Sequence, residues 1–198
     1  AAAIDILVGG QAGDTLISDG GPDVLSGGEG PDTLAIVSTA FQRVSGGTGT
    51  DTLRLDGSGL TLDLSTIADN RLQGIEQIDI TGSGDNTLVL NQLEVLNLSD
   101  ESNTLTVQGN SGDRVELDLG WVRGADTTID TVSYRVFTQG AATLNVASAV
   151  SVGTSVIDLS TLDGTTGFRL DGIDTNDRSG RSVSSAGDVN GDGFDDLI

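Results

Sequence analysis

The chain has no cysteine, no histidine and no lysine among its 198 residues, and all nine basic residues are arginine. Without cysteine there is neither a disulfide framework nor a zinc–thiolate site. Without histidine and cysteine, the commonest general bases and the thiol nucleophiles are missing. Ser184 and Ser185 lie in a strand-like stretch with no GxSxG context, so the sequence offers no enzyme. Aromatic residues make up only 3% of the chain, too few for a broad globular core. No apolar run approaches the eighteen or more residues of a membrane span, and AAAIDILVGG is short and lacks the basic region of a signal peptide. Positive charge is scarce, with 30 acidic residues against 9 basic and a net charge of −21. Such a polyanion repels nucleic-acid phosphates and anionic membranes, and it attracts cations. The expected partners therefore include no nucleic acid and no membrane insertion.

What is present is glycine and aspartate in phase. Written in nines, the chain reads GGQAGDTLI (9–17), SDGGPDVLS (18–26) and GGEGPDTLA (27–35), with GGTGTDTLR (46–54) after an interruption. Asp5, Asp14, Asp23 and Asp32 stand nine residues apart, each followed two places later by leucine. A flexible linker of similar composition would show no such register. A nine-residue period with Gly-Gly first, Asp sixth and an aliphatic residue eighth resembles the calcium-binding repeats of the RTX family of secreted bacterial proteins. The chemistry suits the spacing. Ca²⁺ is a hard cation that takes six to eight oxygen ligands in a flexible cage. Glycines can take positive φ and turn their carbonyls to an ion, and the aspartate supplies formal charge. The x-Leu-x that follows is a strand long enough to place one apolar side chain in a thin core.

Two such half-turns make a full turn of about eighteen residues, so loops on one edge stack. Asp14 and Asp32 then share one edge, and Asp5 and Asp23 the other. Nine places after Asp32 stands Phe41, in STAFQRVS, with neither Gly-Gly nor Asp. Residues 36–45 thus read as a half-turn without an ion, which returns Asp51 to the Asp14/Asp32 edge. Both prolines, Pro22 and Pro31, directly precede an aspartate and stiffen its loop. Ala12 stands where glycine is usual, and Ser18-Asp19 replaces Gly-Gly, which weakens the sites using those loops. The candidate ligands are Asp5, Gly9, Gly10, Asp14, Asp23, Gly27, Gly28, Gly30, Asp32, Gly46, Gly47, Gly49 and Asp51. Several Ca²⁺ ions are the expected cofactors. They would cancel charge and contribute folding free energy to a chain that is otherwise too charged and glycine-rich to fold.

Beyond residue 54 the aspartate pattern fades, but short aliphatic strands recur at LTLDL (60–64), IEQIDI (75–80), TLVL (87–90), VLNL (95–98), TLTV (104–107) and RVELDL (114–119). From residue 78 they come every eight to ten residues, about half a turn. Asn86 and Asn103 stand where Asp51 stands before its Thr-Leu. The reading is a continued parallel solenoid with few ions, held by aliphatic stacking and asparagine side-chain bonds; a β-sandwich is the alternative. Residues 66–74 fit either a helical turn or a bulged loop. Trp121 to Val146 reads as an antiparallel hairpin cap, with Trp121, Tyr134 and Phe137 packing over the last turn to cover its edge. A sugar-stacking Trp121 is the sharper alternative. The block from 54 to 146 resembles a module that follows nonamers in large RTX adhesin-like surface proteins, which implies a secretion context but assigns no chemistry.

Residues 147–166 are small, polar and β-branched, and read as a linker. The final stretch, GFRLDGIDTNDRSGRSVSSAGDVNGDGFDDLI (167–198), resembles the FG-GAP repeat of integrin-type β-propellers. Its D-x-N-x-D-G run sets alternating oxygens around a sharp glycine turn. By that resemblance Asp188, Asn190, Asp192, the carbonyl of Phe194 and Asp196 are ligands. An EF-hand or dockerin begins alike, but the preceding SVSSAG is strand-like.

The expected fold is all-β: a parallel β-roll or β-solenoid with a β-hairpin cap, followed by a partial β-propeller blade. The expected domains are 1–54 (ion-binding roll), 55–120 (solenoid continuation), 121–146 (cap), 147–166 (linker) and 167–198 (partial FG-GAP repeat). Asp5-Ile6-Leu7-Val8 already reads as the end of a nonamer, so a longer repeat array is expected before it, and neighbouring domains of a longer parent chain are expected as partners. The expected function is a calcium-dependent structural and folding module of a large secreted or cell-surface adhesin-like protein. A host or cell-surface ligand would be bound through that parent protein. The alternatives are the secretion and folding tail of an extracellular hydrolase, or a lectin-like binding surface.

Overall fold

The computed structural model describes residues 3–99 and 102–154, together with short strands at 185–187 and 196–197. The chain divides into two compact units, Ala1–Val156 and Ile157–Ile198. The first is dominated by parallel β-sheets with a single short α-helix among the described residues.

The first six strands alternate between two sheets. β1 (Ile6–Gln11), β3 (Val24–Glu29) and β5 (Arg43–Thr48) pair in parallel in one, and β2 (Thr15–Ile17), β4 (Thr33–Ile36) and β6 (Thr52–Leu55) in the other. Corresponding residues are 18 apart in the first turn and 19 in the next. Strand alternation sends every second side chain inward. Leu16, Leu25, Leu34, Val44 and Leu53 fill the thin space between the sheets, all buried. The interruption at 36–45 is filled by Phe41, 1% exposed, whose ring lies beneath the Arg71 guanidinium at 5.3 Å. Arg71 also donates to the Phe41 carbonyl.

After β6 a third sheet begins. β7 (Thr61–Asp63) starts it, and β10 (Thr87–Leu90), β12 (Arg114–Leu117) and β17 (Ser151–Thr154) extend it in parallel. β8 (Leu72–Gln73) closes the first sheet against β5. β9 (Gln77–Asp79), β11 (Thr104–Gln108) and β16 (Ala142–Ala147) extend the second. The return distance grows accordingly, to 25 residues between Asp51 and Glu76 and 39 between Thr106 and Asn145. The expected half-turn spacing from residue 78 onward is therefore corrected: the strands are shared among three faces. Their parallel pairing is also unlike the antiparallel order of an ordinary sandwich.

Two further expectations need amending, and one open alternative is resolved. VLNL is not a strand but part of α1 (Gln92–Leu98), where the Asn91 side chain accepts the Glu94 N–H and caps the helix. Val95 and Leu98, three apart, put the buried stripe on one helix face. Residues 66–74 resolve into two 3₁₀ turns, Leu64–Thr66 and Asp69–Arg71, followed by β8. The supposed linker from 147 contains β17, paired along its whole length with β12.

The hairpin region is antiparallel, as expected: β15 (Val132–Gln139) pairs with β13 (Val122–Arg123), β14 (Thr127–Ile129) and β16. It extends the edge of the nine-stranded sheet, and β16 is at once its returning strand and a parallel neighbour of β11. Tyr134 is buried, while Trp121 and Phe137 are partly buried against the core. The Trp121 indole N–H donates to Asp118 at 2.8 Å.

In the second unit β18 (Ser185–Gly187) pairs antiparallel with β19 (Asp196–Leu197). A propeller blade is not established by this one pair. Asp188, Asn190, Asp192 and Phe194 lie outside the described residues; of Asp196 only the strand backbone is described.

Candidate metal centre

Three glycine loops, Gly9–Asp14, Gly27–Asp32 and Gly46–Asp51, stack at the corner between the first two sheets. Each must turn sharply out of one strand and into the next within a few residues. Gly10, Gly28, Gly30, Gly47 and Gly49 do so at φ between +104° and +145°, and Ala12 holds the left-handed region at +68° where its neighbours have glycine. The first glycine of each loop faces two oxygens. A Cβ on Gly9 would lie 2.5 Å from the Gly27 carbonyl and 2.7 Å from the Asp14 Oδ2. Gly27 likewise meets Asp32 Oδ2 and the Gly46 carbonyl, and Gly46 meets Asp51 Oδ2 and the Gly74 carbonyl. Carboxylate and next-turn carbonyl converge on a spot that a side chain would fill.

The carboxylates form a ladder along this corner. Asp32 Oδ1 accepts the Asp14 N–H at 2.7 Å, Asp51 Oδ1 the Asp32 N–H at 2.8 Å, and Glu76 Oε2 the Asp51 N–H at 2.8 Å. Each turn thus caps a backbone donor of the turn before it. Asp32 is 1% exposed, and its second oxygen, Oδ2, is buried with no hydrogen-bond partner. An ionised carboxylate oxygen left so is costly unless paired or metal-bound.

The opposite corner is wired differently. Asp23 Oδ1 accepts the Asp5 N–H at 2.9 Å, and its Oδ2 accepts the Ser18 hydroxyl at 2.5 Å. The Ser18 hydroxyl, with help from the Asp5 N–H, holds the Asp23 carboxyl below its ordinary value, against an opposing effect of burial. Asp19 joins this corner, with carboxylate oxygens of Asp5, Asp19 and Asp23 within 4.8 Å of one another. Asp19 is the residue sequence reasoning missed: Ser18-Asp19 looked like a lost Gly-Gly, yet Ser18 bonds to one carboxylate and Asp19 brings another. The sequence had marked Asp5 with Asp23 and Asp14 with Asp32 as two separate edges, and the hydrogen bonds place them so.

A third corner, at the start of the third sheet, repeats the ladder without leaving an oxygen over. Asn86 Oδ1 accepts the Leu60 N–H at 2.7 Å, and Asp113 Oδ1 accepts the Asn86 N–H at 2.9 Å. Asn86 Nδ2 donates to the Ile80 carbonyl at 3.0 Å, and the Asn110 N–H donates to Asp113 Oδ2 at 2.7 Å. Asp113 was legible only as part of the turn composition GNSGD; its signal was an Asp directly before an Arg-Val strand.

No family model, no curated protein and no solved structure matches this chain. The donor set itself is all oxygen, carboxylate and backbone carbonyl, with neither imidazole nor thiolate in the chain. That suits a hard cation such as Ca²⁺ far better than Zn²⁺ or copper. Asp14, Asp32 and Asp51, with the carbonyls of Gly27 and Gly46, are the groups that would hold it. No helix among the described residues is long and apolar enough to cross a membrane.

Proposed function

We propose that the chain is a calcium-stabilised structural module, its first turns an RTX-type β-roll that continues into a three-faced parallel solenoid. One observation carries the reading: the buried Asp32 Oδ2, without a hydrogen-bond partner, facing a glycine whose Cβ would fill the space between it and the next turn's carbonyl. A divalent cation there would satisfy the oxygen and offset part of the net −21 charge. What the ion supplies is charge neutralisation and a bridge between turns. The protein's own residues set the loop geometry, exclude side chains from the corner and align successive carboxylates.

The same reading places the chain outside the cell or on its surface, within a longer adhesin-like protein, where free Ca²⁺ is abundant enough to load such sites. The loop between β18 and β19 would be an FG-GAP-type calcium loop whose parent propeller binds a partner. Circular dichroism of the purified chain tests the central point. Excess EDTA should reduce the far-UV β signal, and Ca²⁺ at about 1–5 mM should restore it, a range that extracellular calcium modules use. An unchanged spectrum in EDTA would remove the proposal.

A further inference from the structure

We infer that calcium governs only the turns up to about residue 55, and that the three-faced part from 60 to 154 folds without it and serves as the base on which those turns wind. This rests on the calcium reading above and goes beyond it by dividing the chain.

The division follows from comparing what each corner does with its carboxylates. In the first turns the ladder leaves Asp32 Oδ2 buried and unbonded. Those turns also hold the one cluster of three closely spaced carboxylates among the described residues, Asp5, Asp19 and Asp23. At the third-sheet corner the equivalent positions are Asn86, which is neutral, and Asp113, both of whose oxygens accept backbone N–H groups. An amide at the ladder position does the structural work of the carboxylate, accepting the N–H of the preceding turn, without bringing charge. Nothing at that corner calls for a cation.

Packing points the same way. The first turns place one to three aliphatic side chains per strand between two sheets, from Leu16 and Leu25 to the pairs Leu34/Ile36 and Leu53/Leu55. The later part adds a third wall and the helix, enclosing Leu62, Leu64, Ile75, Ile78, Ile80, Leu88, Val95, Leu98, Leu105 and Val115. More apolar side chains are withdrawn from water there, at a similar density of net charge. The two parts meet where Glu76 accepts the Asp51 N–H and β9 pairs with β6. The ion-free part thereby offers a preformed strand edge to the last calcium-dependent turn.

Hydrogen exchange of the intact chain, followed by peptide mass spectrometry in millimolar Ca²⁺ and in EDTA, tests this. Amides of residues 15–17, 24–29 and 33–36 should exchange roughly tenfold faster or more in EDTA, while those of 87–90 and 114–117 change by less than about twofold. Comparable loss of protection in both groups would overturn the division and leave the calcium reading standing. No calcium effect anywhere would overturn the calcium reading, and the division with it.

Discussion

Asp32 differs from Asp23 although both occupy the same place in the nine-residue pattern. Asp23 has a protein donor on each oxygen, Ser18 on one and the Asp5 backbone on the other. Asp32 accepts one backbone N–H, donates its own to Asp51, and leaves its Oδ2 buried without a hydrogen-bond partner. Asp32→Ala therefore removes both an interturn hydrogen bond and the best-placed charge of the corner. It should raise the midpoint of a calcium titration followed by circular dichroism by roughly tenfold or more, and by more than Asp23→Ala does, since affinity tracks ligand charge. Equal midpoints for the two variants would show that the corners are equivalent. The sequence already separated these residues onto two edges, because loop chemistry is local and its period is strict. It could not show that Ser18 would stand in at one of them, since that contact depends on where a hydroxyl points across a folded corner.

Among the elements, α1 shows most clearly where pattern reading runs short. Val95 and Leu98 fit a short strand by composition, and the repeating strands around them favour that assignment. The local signal to the contrary was Asn91 three places before Glu94, an N-terminal cap pattern. The third sheet was hidden for a related reason: a short strand carries no mark of which face it joins, so two-faced and three-faced windings share one sequence rhythm. Strand β17 was hidden by small residues that also suit a linker. Glu94 offers a test at this scale. Burial first, then the charges of Asp69 and Asp63, raise its pKa above the ordinary 4.5. A carboxyl whose folded pKa is raised weakens the fold when ionised, so the penalty is full above the folded value and absent below the unfolded one. Glu94→Gln should accordingly raise the thermal midpoint at pH 7, and the gain should shrink as the pH falls toward about 4. A gain independent of pH would assign it to helix packing instead.

For the whole molecule the governing quantity is charge. A net −21 on 198 residues repels itself, and any salt will screen part of that repulsion. Screening and site binding are separable. In EDTA, about 0.5 M NaCl, which shortens the Debye length to roughly 4 Å, should recover less of the β signal than millimolar Ca²⁺ does. Sodium relieves the long-range term but is a poor bridge for Asp32 Oδ2 and the glycine carbonyls beside it. Full recovery by NaCl alone would reduce calcium's part to screening.

The extra residue of the second turn has a bearing on how such a chain can change its length. One turn spans 18 residues and the next 19, yet Asp51 still meets Asp32 in register. The surplus is taken up beside Phe41, in a loop of the Asp5–Asp23 side that itself has neither Gly-Gly nor a carboxylate. Insertions and deletions can thus drift through that loop without disturbing the opposite side of the coil, whose spacing is fixed by oxygens that must arrive together.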